Sequence, residues 1–235
     1  MQSRFLITTL LVLSGSVFAD DSDPKADITA AAKKLSQAAN YSWKSTVEFG
    51  NFTGETEGKS EKEGPISLSM SFGDNTTLAF LKGDKGAVKT QDEDWQSLAE
   101  LAKAAGDDPG PRQFLVRRLR NFKSPADESA DIVTKTKEFK KDGEAYSAEL
   151  TEAGAKDLLS FGGRRGGNAP EPKNAKGSVK FWTKDGQLSK YQLKLQGTMN
   201  FNGEDRDIDR TSTVEIKDVG TTKLEVPEAA KKKMS

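Results

Sequence analysis

The chain has 235 residues, enough for one domain or two small ones, and its 36 basic and 36 acidic residues balance. A neutral balance argues against nucleic acid as a partner, because binding it needs a broad surface of clustered Lys and Arg. The chain contains no Cys and no His. Thiol and imidazole nucleophiles, histidine general bases and most zinc or iron sites are thereby excluded, and we expect no cofactor.

The first nineteen residues have the pattern of a secretory signal peptide. Arg4 supplies a positive charge, an apolar run covers 5–13, and Val17 and Ala19 occupy the positions that a signal peptidase reads. The run is shorter than the roughly 20 residues that span a bilayer. The sequence therefore predicts a signal peptide over 1–19 and one mature domain over 20–235. Because there is no Cys to form a disulfide or take a lipid, we expect export to the periplasm or exterior of a bacterium, without a lipid anchor.

In the first half of the mature chain, one amphipathic helix precedes a series of strands. Apolar residues recur at helical spacing over 25–39, and from Trp43 to Phe49 the period changes to two, which is typical of a half-buried strand. The polar segment 51–64 predicts at most a weak edge strand. Clear strands follow over 66–72, 76–82 and 87–90.

The middle of the chain is predicted to be a helical insert followed by a return to strands. Stripes of apolar residues predict helices from Trp95 to Gly106 and from Pro111 to Phe122. Ser124 is placed as an N-cap with Asp127 three residues later. Strands over 133–140 and 144–150 come next, and a short helix over 152–159 is capped by Thr151.

The last third contains a Gly- and Pro-rich loop and three further strands. The loop covers 161–177, and its length is typical of either a functional lid or a disordered segment. The strands are predicted over 178–184, 188–201 and 204–219. Asn202-Gly203 between the last two is a strong hairpin signal, and Leu193 and Leu195 lie on the inward face of the first arm.

This order of elements resembles the periplasmic lipoprotein-carrier (LolA/LppX-like) superfamily and a set of uncharacterised exported bacterial proteins. The local phrases that carry the resemblance are Asn40-Tyr41-Ser42-Trp43, Phe181-Trp182-Thr183-Lys184-Asp185-Gly186-Gln187-Leu188 and Val219-Gly220 with Val226-Pro227. The resemblance implies an α+β fold: a strongly curved antiparallel half-barrel with the N-terminal helix and the helical insert on its concave face. It also implies an apolar ligand, a lipid or a lipidated protein, bound on that face.

Two charged clusters each admit two interpretations. Asp205, Asp207 and Asp209 share one strand face, where carboxylates could hold calcium, but Arg210 and Ile216 stand where an EF-hand requires Gly and an acid. An exposed face paired with Lys and Arg is the other interpretation. The insert helix is basic. Either it contacts an anionic membrane surface, or it packs its apolar face and leaves its charges in water; the arginines concerned are Arg112, Arg117, Arg118 and Arg120.

No motif in the chain predicts an enzyme. There is no Gly-x-Ser-x-Gly elbow and no phosphate-binding Gly loop, and the Ser-x-x-Lys at Ser22–Lys25 lies in the tail before the first helix. A hydrolase with paired carboxylates ranks below two non-catalytic hypotheses.

The candidate ligand site is a stripe of aromatic and methionine side chains on inward strand faces. It comprises Trp43, Phe49, Met70, Phe72, Tyr191, Met199 and Phe201. The first hypothesis is an apolar ligand between sheet and helices, with Trp43 and Trp95 bordering that interface. The alternative is an envelope structural or interaction protein in which the stripe is ordinary core. An apolar void of roughly 300 Å³ or more favours the first, and a packed interior favours the second.

Overall fold

The structure is a computed structural model that describes residues 23–106, 110–160, 171–201 and 203–235, without the side chain of Phe201. The predicted signal peptide and most of the predicted 161–177 loop lie outside these residues. The helices are α1 Pro24–Ser36, α2 Leu98–Ala105, α3 Pro111–Arg120, α4 Pro125–Thr134, α5 Glu152–Leu159 and α6 Glu228–Met234. The strands are β1 Asn40–Phe49, β2 Phe52–Glu61, β3 Ile66–Phe72, β4 Asn75–Lys82, β5 Lys85–Lys89, β6 Gln96–Ser97, β7 Thr136–Asp142, β8 Ala145–Leu150, β9 Lys173–Lys184, β10 Gln187–Phe201 and β11 Glu204–Lys217.

All eleven strands form one open antiparallel sheet in the order β6-β5-β4-β3-β2-β1-β11-β10-β9-β8-β7. Strands β1 to β6 form one half, strands β7 to β11 form the other, and the two halves meet where β1 pairs with β11. The sheet is not closed, since β6 and β7 remain at its edges. The predicted fold class, an α+β half-barrel with an antiparallel sheet, is confirmed.

The two faces of the sheet are covered by different helices. We define the inner face as the one whose side chains share the main hydrophobic core with α1 to α5. Among the described residues, α6 covers the outer face at β4 to β6, where its Ala230 packs with Phe80 and Ala87. Because neighbouring residues of a strand point to opposite faces, Phe80 lies outside while Ala79 and Leu81 lie inside.

The helices begin where the sequence supplies a cap. Asp23 accepts a hydrogen bond from the backbone N–H of Lys25 at the start of α1. The predicted caps of α4 and α5 are confirmed, because Ser124 and Thr151 accept from the backbone N–H of the third helical residue. Helix α3 differs, because its N-cap residue, Gly110, has no side chain that could accept a hydrogen bond.

Several predicted element boundaries are wrong. The segment 51–64 holds β2, which is a central strand rather than a weak edge, because its small inward residues let large neighbours cover it. Trp95 precedes β6 instead of opening a helix, and it packs against Phe80 on the outer face. Val133 belongs to α4, since the cap at Ser124 starts a helix that runs to Thr134.

Two elements are longer or additional compared with the prediction. Strand β9 starts at Lys173, so residues 173–177 of the predicted loop pair with β10. Helix α6 was not predicted, because three consecutive lysines interrupt its apolar residues, of which Ala230 and Met234 contact the outer face. Both differences arise from tertiary contacts that strand or helix periodicity does not reveal.

Candidate functional site

The structure places six of the seven predicted ligand residues on the inner face, but not in one cluster. Trp43, Met70, Tyr191 and Met199 are buried in the main core. Met70 and Tyr191 share one cross-strand row with three strands between them, a separation of about 19 Å. Met199 lies eight residues along β10 from Tyr191, or about 27 Å. The seventh, Phe201, ends β10, and its side chain is outside the described part of the structure.

The half of the inner face formed by β9 and β10 is closely packed. Helices α1 and α5 lie on these strands, and α4 packs on α1. Phe181, Tyr191 and Leu195 are among the largest fully buried side chains of the protein. The rings of Phe139, Phe181 and Tyr191 follow one another with centroids about 6 Å apart, at 6.0 and 5.9 Å. This half therefore has the character of an ordinary core.

A polar cluster is enclosed in this packed half. The Tyr191 hydroxyl donates a short hydrogen bond to Oε2 of Glu128 on α4. Burial raises the pKa of Glu128, and the hydrogen bond from Tyr191 and the charge of Arg210 counteract that rise only in part. Burial and the nearby Glu128 raise the pKa of Tyr191 as well. Arg210 also donates to the carbonyl oxygen of Leu158 at 3.1 Å, so the cluster joins α4, α5, β10 and β11.

The other half of the inner face is covered through long side chains of α3 and the residues that follow it. Phe122, just after α3, stacks on Trp43 with ring centroids 6.2 Å apart. One helical turn earlier, Arg118 donates to the Thr56 hydroxyl at 3.2 Å, and its guanidinium lies 5.0 Å from the centre of the Phe72 ring. Phe122 therefore lies near Gly58 and Arg118 near Thr56, while Arg112 joins the start of α3 to Glu93, beyond the end of β5.

Small residues form the surface beneath α3. A Cβ atom at Gly58 would come within 2.0 Å of the Trp43 ring, and one at Gly54 within 2.7 Å of the Phe72 ring. These glycines therefore allow two aromatic rings to lie against the sheet. Ser45, Val47 and Ser212 continue the surface on β1 and β11, and all three are half-buried. We call this surface and its aromatic border the α3 groove.

Exposed phenylalanines border the α3 groove at the end of the β1–β2 hairpin. Phe49 is 38% exposed and Phe52 is 49% exposed, and the two pair across the hairpin. Phe52 stacks on Phe72 with ring centroids 5.7 Å apart. Phe114 lies one helical turn before Arg118 on the same face of α3 and is 51% exposed. Exposed apolar side chains gathered at one place are typical of a binding surface.

The two arginines of the inner face have different electrostatic surroundings. Arg210 faces the carboxyl of Glu128. Arg118 has no carboxylate within 4.0 Å among the residues that the structure describes, and its resolved partners are the Thr56 hydroxyl and the Phe72 ring. Burial lowers the pKa of Arg118. Withdrawing a guanidinium from water without a counter-ion costs free energy. An anion bound beside Arg118 would therefore be stabilised.

Two open clefts lie away from the predicted ligand residues. One of about 360 Å³ is lined by residues of β7, β8 and β9 and by Glu152. The other, of about 500 Å³, lies beside Lys156, Pro172 and Asn200. Charged and polar side chains contribute to both, and neither is lined by a residue of the α3 groove.

The two charged clusters lie outside the α3 groove, with the exception of Arg118. Asp205 accepts from Asn200 and Lys173, Asp207 from Thr198 and Asp209 from Gln196, so the three carboxylates pair with neighbouring strands. On the insert helix, Arg112 forms an ion pair with Glu93, and Arg117 and Arg120 are exposed. The inward position of Arg118 is a correction to its prediction as a surface residue.

Sequence reasoning missed Phe52, Phe114 and the inward orientation of Arg118 as features of one site. The spacing of Phe114, Arg118 and Phe122 by four residues was the available signal, because it places a cation within an aromatic helix face. The alternation of Phe52 with Gly54, Thr56 and Gly58 was the other signal, since it marks a strand face that leaves room above it.

The comparisons with known proteins found distant structural similarities. No protein-family model and no curated protein sequence matches the chain. LprF from Mycobacterium bovis is 10% identical, with 88% of this chain and 97% of that chain covered and a TM-score of 0.45. A DUF1329 family protein from Desulfovibrio piger is 9% identical with the same coverage and a TM-score of 0.35.

These similarities support no inference about function, because the sequence identities are near 10% and the TM-scores are below 0.5. The architecture expected from the sequence, an open antiparallel sheet with helices on its inner face, is the one that the described strands and helices form. None of the described helices is long and apolar enough to cross a membrane.

Proposed function

We propose that the protein is an exported, non-catalytic binding protein that holds an apolar chain in the α3 groove. The observation that carries the proposal is the border of Phe49, Phe52 and Phe114, exposed beside a surface of small residues. Of the four exposed large apolar side chains in the described structure, Phe49 and Phe52 lie at the end of the β1–β2 hairpin and Phe114 lies on α3. An acyl or alkyl chain laid along this surface would remove the three rings from water.

The location of the proposed site follows from the contrast between the two halves of the interior. The half under α1, α4 and α5 is filled by large buried side chains, so an added chain would have to displace core residues. Over the α3 groove, the sheet is covered by the Trp43–Phe122 stack and by Arg118, and Ser45, Val47 and Ser212 remain half-buried. The ligand residues retained from the sequence prediction are Trp43, Phe49, Met70 and Phe72.

A titration with neutral primary alcohols of 8 to 14 carbons tests the proposal. The chain contains three Trp, so a variant with Trp95→Phe and Trp182→Phe leaves Trp43 as the sole reporter. Because Trp43 is already buried, binding beside it should change the intensity of its emission, and each added methylene should tighten binding about fourfold, as about 0.8 kcal/mol of apolar burial implies. An unchanged emission and affinities independent of chain length would refute the proposal.

A pair of matched variants locates the bound chain. Phe52→Ser removes an exposed ring at the border of the α3 groove and should weaken alcohol binding. Leu78→Ser is the control, because Leu78 is also exposed, by 38%, but lies on the outer face of β4. Equal effects of the two substitutions would place the alcohol elsewhere.

The envelope interaction protein is the second candidate, and the closely packed half favours it. Large side chains fill the space under α1, α4 and α5, and the two open clefts lie away from the aromatic residues. In this case Phe49, Phe52 and Phe114 would contact another protein or a membrane surface. Saturable, chain-length-dependent binding of alcohols at Trp43 would argue against this candidate.

A further inference from the structure

We propose that the α3 groove binds a long-chain carboxylate with its head group inward, against the guanidinium of Arg118. This inference rests on the proposed function, because it assigns the chemical class of the chain that the groove holds. Arg118 is a positive charge that lies against an aromatic ring and has no ion-pair partner among the described residues. It would bind a polar end group on the otherwise apolar ligand.

The first step is the charge of Arg118. Its side chain is directed from α3 to the sheet, where it contacts Thr56 and Phe72. A guanidinium has five N–H donors, and the hydrogen bond to Thr56 uses only one of them. No carboxylate of the described residues forms an ion pair with it, whereas Arg210 in the packed half faces Glu128. The arrangement is therefore complementary to an anion that the protein itself does not supply.

The second step is the hydroxyl groups beside the guanidinium. Thr56 accepts from Arg118, so its own hydroxyl proton is available to a further acceptor. Ser45 pairs with Thr56 across β1 and β2 and shares the inner face. A planar carboxylate between these groups would accept two parallel N–H bonds from the guanidinium and O–H bonds from the hydroxyls.

The third step is the size and direction of the ligand. Beyond Arg118, towards Trp43 and Phe122, the stacked rings leave no path for a chain. On the other side lie Phe72 and Phe52, which stack on each other and lead to the exposed end of the β1–β2 hairpin. A carboxylate held at Arg118 would therefore direct its alkyl chain along these rings. The small head group of a fatty acid fits this inward position better than the large head group of a phospholipid.

The test compares hexadecanoate with 1-hexadecanol at pH 8 in calorimetric and Trp43 fluorescence titrations. The unmodified protein should bind hexadecanoate at least tenfold more tightly than the alcohol. Arg118→Gln should abolish this preference, so that the variant binds hexadecanoate no more tightly than the alcohol. Arg117→Gln is the matched control, since it removes the same charge from an exposed position of the same helix. Arg118→Lys keeps the charge without the planar fork, and it should keep only part of the preference.

The outcomes separate this inference from the proposed function. Equal affinities for hexadecanoate and the alcohol in the unmodified protein overturn the inference and leave the apolar site in place. Binding of neither probe overturns both. Arg118-dependent binding of phosphatidylglycerol vesicles without binding of hexadecanoate overturns the assignment to a free carboxylate. If Arg118→Gln does not fold, loss of the preference in Arg118→Lys supports the inference, and an undiminished preference in that variant contradicts it.

Discussion

Replacing Glu128 by Gln should change how the stability of the protein depends on pH. Glu128 is half-buried and accepts a hydrogen bond from Tyr191, and withdrawal of its carboxyl from water raises its pKa above the ordinary value of 4.5. A glutamine oxygen can still accept from the Tyr191 hydroxyl, so the substitution keeps the geometry and removes the titration. The groups that face this carboxyl are Tyr191, Arg210, Lys123 and Asp131.

The sign and size of the effect follow from proton linkage. Between pH 4.5 and the raised pKa of folded Glu128, the folded protein binds a proton that the unfolded chain has lost. The free energy of unfolding of the unmodified protein should therefore fall as pH rises through this window. Each full proton corresponds to about 1.4 kcal/mol per pH unit, which is the largest slope that Glu128 can contribute.

Urea unfolding from pH 4 to pH 8, followed by circular dichroism, measures this slope directly. The stability of Glu128→Gln relative to the unmodified protein should increase with pH across the window. Glu138→Gln is the control, because Glu138 is an exposed acid on β7. Parallel curves for the unmodified protein and Glu128→Gln would refute the assignment of a buried, protonated Glu128.

Three further predictions concern packing and charge. Leu195→Ala should cost about 2–5 kcal/mol in urea unfolding, because Leu195 is fully buried in β10. Gly58→Ala should displace the Trp43 ring, which a Cβ would approach to 2.0 Å, and a red shift of Trp43 emission with a loss of about 1–3 kcal/mol would report it. Burial tends to raise the pKa of Asp131, but hydrogen bonds from two lysines lower it below 3.8. The stability advantage over Asp131→Asn should therefore be present above pH 3.8 and disappear as pH falls below it, as urea midpoints at pH 2 to 6 can measure.

The fold was predictable wherever a local pattern decides the structure. The period of two along β10 predicted the buried positions of Tyr191, Leu193 and Leu195, and all three are buried. The caps at Ser124 and Thr151 were predictable because the cap residue and its backbone partner are close in sequence. These elements require only the chemistry of a few neighbouring residues.

The differences arise where distant residues decide the structure. Trp95 occupies a helical spacing, yet it packs on Phe80 and borders the cluster covered by α6, which is more than 130 residues further along the chain. Strand β2 contains three small or polar inward residues, and only the rings of Trp43 and Phe72 above them explain why it is central. Periodicity shows which residues share a face, but it does not identify the partner that covers that face.

The sequence predicted the strand face on which the candidate site lies, but not its position on that face. The six predicted residues whose side chains the structure describes lie on the inner face, but three strands separate Met70 from Tyr191, and Met199 lies eight residues along β10 from Tyr191. The decisive residue, Arg118, was assigned to the surface because a charged side chain on a basic helix normally lies in water. Its contact with Thr56 depends on the placement of α3, which the sequence of α3 alone does not determine.

The division of the interior determines which part of the fold would have to move to admit a ligand. Opening the half under α1, α4 and α5 would expose Phe181, Tyr191 and Leu195, and it would break the cluster around Glu128. Opening the other half would separate the Trp43–Phe122 stack and the Arg118 contacts. The free energy of local opening rises with the buried surface that is lost, so α3 should separate from the sheet before α4 does. A ligand that replaces these contacts with an acyl chain and a carboxylate would therefore enter beneath α3.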